Sequence, residues 1–86
     1  MAFVYILQTI SGKYYVGSTV DLPRRIEHHL RGHTPSTMRL RAQKLLLAQE
    51  YPTLQGARAV ERKIKKLKRK DYIEQMVKDG YIKIVP

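Results

Sequence analysis

Glu61 is the one acid between Arg58 and Lys70, a stretch that also holds Arg58, Arg62, Lys63, Lys65, Lys66, Lys68, Arg69 and Lys70. Two readings fit that placement. The i,i+4 spacing to Lys65 makes a helical ion pair worth a few tenths of a kcal/mol. A single carboxylate is also enough for a hard cation such as Mg²⁺ when a phosphate completes its shell. Arg25 and His29 are four residues apart, so a helix puts them on one face, where an Arg and a His can hold and protonate a phosphate. His28 and His29 are adjacent and point to different sides, and no HExxH-type ligand spacing exists. Most other acids have structural readings: Asp21 and Asp71 as helix N-caps, Glu74 as the capping-box partner of Asp71, Asp79 near a helix end, and Glu27 on the solvent side beside Arg24 and Arg31. Tyr14 and Tyr15 are neighbours on an extended segment, so one packs beneath the helices while the other looks outward. Gly17 removes a side chain where another group can approach closely.

The chain has 86 residues, enough for one small domain. It carries 17 Lys+Arg against 7 Asp+Glu, a formal charge of +10. That field attracts polyanions. Nucleic acid is the commonest, with an anionic membrane surface as the rival. Cysteine is absent, which excludes disulfide frameworks, zinc knuckles and thiol catalysis. A hydrophobic fraction of 43% is too high for a disordered chain. No apolar run approaches the roughly 20 residues of a membrane span. Met1 to Ile10 lacks a basic n-region and reads as a strand, so no signal peptide and a cytoplasmic location are expected.

These residues need elements to position them. Ala2 to Thr9 and Lys13 to Thr19 are rich in β-branched and aromatic residues and flank Ile10-Ser11-Gly12, which predicts a hairpin. Tyr5 and Tyr15 lie at comparable distances from that turn and can meet across the sheet. Asp21 caps a helix with Leu22, Ile26 and Leu30 as its apolar stripe and Gly32 as its stop. His33 to Gln43 reads as a loop, and Lys44 to Tyr51 as a third strand ended by Pro52. Thr53 opens a long basic helix whose stripe is Ala57, Val60, Ile64 and Leu67. A last helix starts at Asp71, buries Ile73, Met76 and Val77, and closes at Gly80. Tyr81 to Pro86 adds a short strand or lies against the core. The order is β-β-α-β-α-α: an α+β domain with a small three-stranded, antiparallel-leaning sheet flanked by helices.

Phe3-Val4-Tyr5 and Tyr15-Val16-Gly17 resemble the two halves of the GIY-YIG signature. The resemblance continues through Ser18-Thr19, Asp21-Leu22-Pro23-Arg24-Arg25-Ile26, His29 and Ala59-Val60-Glu61-Arg62-Lys63-Ile64-Lys65. It spans about residues 2 to 70, with 71 to 86 as a C-terminal helix and tail of one domain over 1 to 86. The whole is similar to small stand-alone, excinuclease-like GIY-YIG proteins of bacteria. The resemblance implies an endonuclease that hydrolyses DNA phosphodiester bonds with Mg²⁺ or Mn²⁺ and no small-molecule cofactor. It is expected to be directed by DNA structure or damage rather than by sequence. Its catalytic residues would be Tyr5, Tyr15, Arg25, His29 and Glu61, with Glu61 on the metal and Gly17 structural in the motif. Tyr15 or Tyr5 would take the proton from water, the nearby cations favouring the phenolate. Lys13, Arg24, Arg39, Arg41, Arg62 and Lys65 would meet the phosphate backbone. A homodimer or a larger repair partner is expected, cutting both strands would need dimerisation or two successive nicks, and no membrane is implied. Phe3-Val4 stand where the signature has Gly-Ile, Val16 stands for its Ile, and the chain has no Asn, which many members carry late in the domain. The alternatives are a nucleic-acid-binding module with weak or lost chemistry, and a basic domain docked on a larger partner or a membrane surface.

Overall fold

The computed structural model describes residues 1–9, 11–30, 42–67 and 69–86, with the backbone alone at 28–30 and 42–43. The first two apolar runs form β1 (Ala2–Thr9) and β2 (Tyr14–Thr19), an antiparallel hairpin. At its turn the Thr9 N–H donates to the Lys13 carbonyl at 2.9 Å, and the Gly12 N–H to the Thr9 carbonyl at 3.0 Å. Gly12 sits at φ +84°, a region that only glycine adopts freely. The Lys13 N–H goes to Thr9 Oγ1 at 3.0 Å. Lys13 therefore belongs to the turn, and β2 begins one residue later than expected. Ile10 lies outside the described residues.

The register pairs Val4 with Ser18, Tyr5 with Gly17 and Leu7 with Tyr15. Because side chains alternate, Tyr5, Leu7, Tyr15 and Gly17 share one face, while Val4, Ile6, Val16 and Ser18 share the other. β3 (Ala42–Tyr51) pairs antiparallel on the other side of β1, giving the order β2-β1-β3. It starts at Ala42 and not at Lys44, because Ala42 pairs with Thr9 at the end of β1. The expected loop loses residues 42 and 43 to this strand. Its remainder, 33–41, lies outside the described residues.

The first helix, α1 (Leu22–Leu30), is capped as expected: Asp21 Oδ1 accepts from the Arg24 N–H at 3.3 Å. Leu22 and Ile26 are half-buried, and Gly32, its expected stop, lies outside the described residues. The long basic helix is α2 (Leu54–Leu67), capped by Thr53 Oγ1 accepting from the Gly56 N–H at 3.0 Å. Ala57, Val60 and Ile64 pack against Ala2, Val4, Ile6 and Val16. Burial of residues such as Val60 and Ile64 contributes about 1.5–3 kcal/mol each. Leu67 leaves this stripe. It is 41% exposed and lines an open recess with Tyr72 and Ile84.

The last helix, α3 (Lys70–Asp79), begins one residue before Asp71, which is not its N-cap. Arg69 holds the cap position in extended conformation without a side-chain cap bond, and its guanidinium donates to Asp71 Oδ2 at 2.8 Å. Glu74 hydrogen-bonds Tyr14 and forms no capping box with Asp71. Gly80 closes the helix at φ +82°, its N–H reaching the Met76 carbonyl at 2.9 Å. The tail adds no strand. The Gln49 amide donates to the Ile82 carbonyl at 3.1 Å and accepts from its N–H at 2.7 Å, which seats Ile82 in the core.

Candidate active site

Gly17 is where the fold makes room for chemistry. The residue opposite it on β1 is Tyr5, and the Tyr5 ring lies across the space a side chain at Gly17 would fill. A Cβ built there would sit 2.6 Å from Tyr5 Cζ and closer still to the hydroxyl oxygen. Tyr5 is 1% exposed. Its phenol hydrogen-bonds Arg25 of α1, and Tyr15 and Glu61 lie close enough to act on it through their charge. Tyr5 of β1, Tyr15 of β2, Arg25 of α1 and Glu61 of α2 therefore come together across edge strand β2.

Burial pushes the Tyr5 hydroxyl up to about 12. The nearby Tyr15 and Glu61 add to the rise, and Arg25 opposes it by charge and hydrogen bond without cancelling it. Arg25 thus acts in the direction expected of a neighbouring cation, and without a metal ion burial outweighs it. Without a metal ion Tyr5 is a neutral phenol at neutral pH, and it holds Arg25.

Glu61 arrives from the opposite face. Ser18 shares the α2-facing side of β2 with Val16, and its hydroxyl donates to Glu61 Oε1 at 2.5 Å. Lys65, one turn along α2, donates to Oε2 at 2.6 Å, so the i,i+4 ion pair exists. The Lys65 ammonium also stands 5.9 Å from the centroid of the Tyr15 ring. The Glu61 side chain is 20% exposed, at the boundary between core and solvent. Among the described residues no three His, Cys, Asp or Glu side chains cluster as a metal site. The donor set is one carboxylate with a hydroxyl beside it. Such hard oxygens suit Mg²⁺ or Mn²⁺, which keep waters and take a phosphate as well.

The surrounding cations divide into groups. Arg58, Arg62 and Lys65 line one recess with Glu61. Lys13, Lys65, Arg69 and Lys70 line a groove with Tyr14 and Tyr15. Arg24 is exposed on α1 beside Arg25. His29 is on α1 one turn beyond Arg25, and its side chain lies outside the described residues, as do Arg39 and Arg41. Sequence reasoning passed over Ser18 as a site residue. The signal was strand parity, since Ser18 shares a face with Val16 and so turns toward the helix that carries Glu61.

No helix among the described residues is long and apolar enough to cross a membrane. The family model described as the GIY-YIG catalytic domain matches residues 1–75. A UPF0213 protein of Streptococcus pneumoniae is 35% identical over 69 residues, 79% of this chain and 70% of that protein. One from Pectobacterium carotovorum is 33% identical over 81 residues, 90% of this chain and 78% of its own length. The solution structure of a UPF0213 protein from Bacillus halodurans superposes with a TM-score of 0.58 at 30% identity, covering 93% of this chain and 87% of that one. Since that family model spans residues 1–75 of the 86, the chain belongs to the GIY-YIG family of nucleases.

Proposed function

We propose that this protein is a divalent-metal-dependent endonuclease that hydrolyses DNA phosphodiester bonds, directed by DNA structure or damage and not by base sequence. The observation that carries the reading is the meeting of Tyr5, Tyr15, Arg25 and Glu61, from four different elements, across β2. Glu61 would hold the Mg²⁺ or Mn²⁺, steadied by the Ser18 hydroxyl. When bound, that ion supplies charge neutralisation to the phosphate and the leaving oxygen. Arg25, anchored by the neutral Tyr5 phenol, donates to the non-bridging oxygens. Tyr15 would accept a proton from the attacking water as its own phenolic proton passes on to His29. Lys13, Arg24, Arg62 and Lys65 meet backbone phosphates, which fix position and carry no sequence information. One domain of 1–86 makes one nick, and double-strand cleavage uses two successive nicks or a second copy.

The test is incubation with supercoiled, nicked and branched DNA in Mg²⁺ or EDTA. Nicking requires the metal, and Glu61→Ala and Arg25→Ala each lower its rate by about 10²–10³-fold, while thermal unfolding shows both variants folded. Full activity in Glu61→Ala would sink the metal assignment. DNA retention without cleavage by the unmodified protein would make it a binding module.

A further inference from the structure

Both oxygens of the Glu61 carboxylate already have partners, and the two partners differ. Ser18 is a neutral hydroxyl fixed on β2. Lys65 is a cation on a flexible-stemmed side chain that is 54% exposed. Its ammonium is 2.6 Å from Oε2, in the first coordination range of that oxygen, and it is also within reach of the Tyr15 ring. Resting on the metal reading given above, we propose that Lys65 is the internal counter-cation of Glu61: it holds the carboxylate in the absence of metal and gives up Oε2 to the divalent ion.

The physical case has three parts. A half-exposed i,i+4 pair is weak, so the exchange is cheap. An ammonium left beside a divalent ion is repelled by it, so the two cations compete for one oxygen. The Tyr15 ring gives the displaced ammonium a second resting place inside the site, from which it can reach a substrate phosphate. Ser18 keeps Oε1 throughout, so the carboxylate does not turn when its partner changes. Lys65 is therefore a positioning residue with two successive duties. It opposes metal binding in the free protein and favours polyanion binding.

The two duties move in opposite directions when the charge is removed. The experiment titrates the whole protein with Mn²⁺ in the absence of DNA, following free Mn²⁺ by electron paramagnetic resonance. A second arm measures DNA binding in EDTA by fluorescence anisotropy. Lys65→Met keeps the apolar stem and is expected to bind Mn²⁺ about threefold or more tightly than the unmodified protein, and to bind DNA more weakly. Lys65→Arg keeps the charge and can pair with the carboxylate through its fork, so it binds Mn²⁺ no more tightly than the unmodified protein and retains DNA binding. Equal or weaker Mn²⁺ binding by Lys65→Met overturns the exchange, and so does a Lys65→Arg variant that follows Lys65→Met. Mn²⁺ binding that persists unchanged in Glu61→Gln, or is absent from every variant, overturns the metal assignment itself and the exchange with it.

Discussion

Gly17 and Tyr5 act as one unit: a phenol and the space that admits it. Any side chain at Gly17 must displace the Tyr5 ring, which is buried. Gly17→Ala is expected to cost about 1–3 kcal/mol through overpacking, read as a fall of the thermal midpoint, and to lower nicking by loosening Arg25. Tyr5→Phe in the same chain recovers part of the stability, because the hydroxyl is the nearest clashing atom; strictly additive losses would show that the two do not interact. The need for a close approach at Gly17 was legible from the sequence, since a strand glycine between Val16 and Ser18 has few other reasons. Which group approaches was not, because that depends on register. How deeply Tyr5 is buried was hidden for a related reason. A tyrosine in an alternating strand looks the same whether its ring ends in solvent or beneath α1, and burial outweighs the neighbouring guanidinium.

At the scale of elements, α2 carries most of the consequence, because it buries the core stripe on one side and presents Glu61 at its edge. Its N-terminus depends on the Thr53 hydroxyl. Thr53→Ala is expected to cost about 1 kcal/mol, a thermal midpoint lower by about 4–8 °C for a domain of this size. An unchanged midpoint would mean that water replaces the cap without loss. Thr53, Asp21 and Gly80 were legible as helix ends because each has one dominant job at that position. The start of α3 was not. Asp71 carries the residue type of an N-cap but is taken by the Arg69 guanidinium, and Glu74, three residues on, is taken by Tyr14. The contact between Tyr14 and Glu74 is long-range, and no local pattern announces it. The start of β3 was hidden for the same reason: Ala42 and Gln43 look like loop, and only pairing with the end of β1 extends them.

For the whole molecule, the +10 charge favours contact with polyanions such as DNA. If four cations around the site each neutralise a phosphate, affinity for duplex DNA falls by about two orders of magnitude between 50 and 200 mM salt. Anisotropy titrations across that range check it, and a flat response would mean that contacts other than phosphates dominate. The basic field and the order of elements were legible in the sequence, since both survive without knowing who touches whom. The meeting of the site residues was legible only through the signature, because their convergence is set by pairing. That pairing rests on a small piece of chain. Ser11 and Gly12, with the bonds between Thr9 and Lys13, form the corner that places Gly17 opposite Tyr5. The corner works as a ruler for the site. One extra residue there that shifted the strands by a place would leave every signature residue present and in order. It would also turn one tyrosine toward the wrong face of the sheet, so the chain would still read as a nuclease and no longer be built as one.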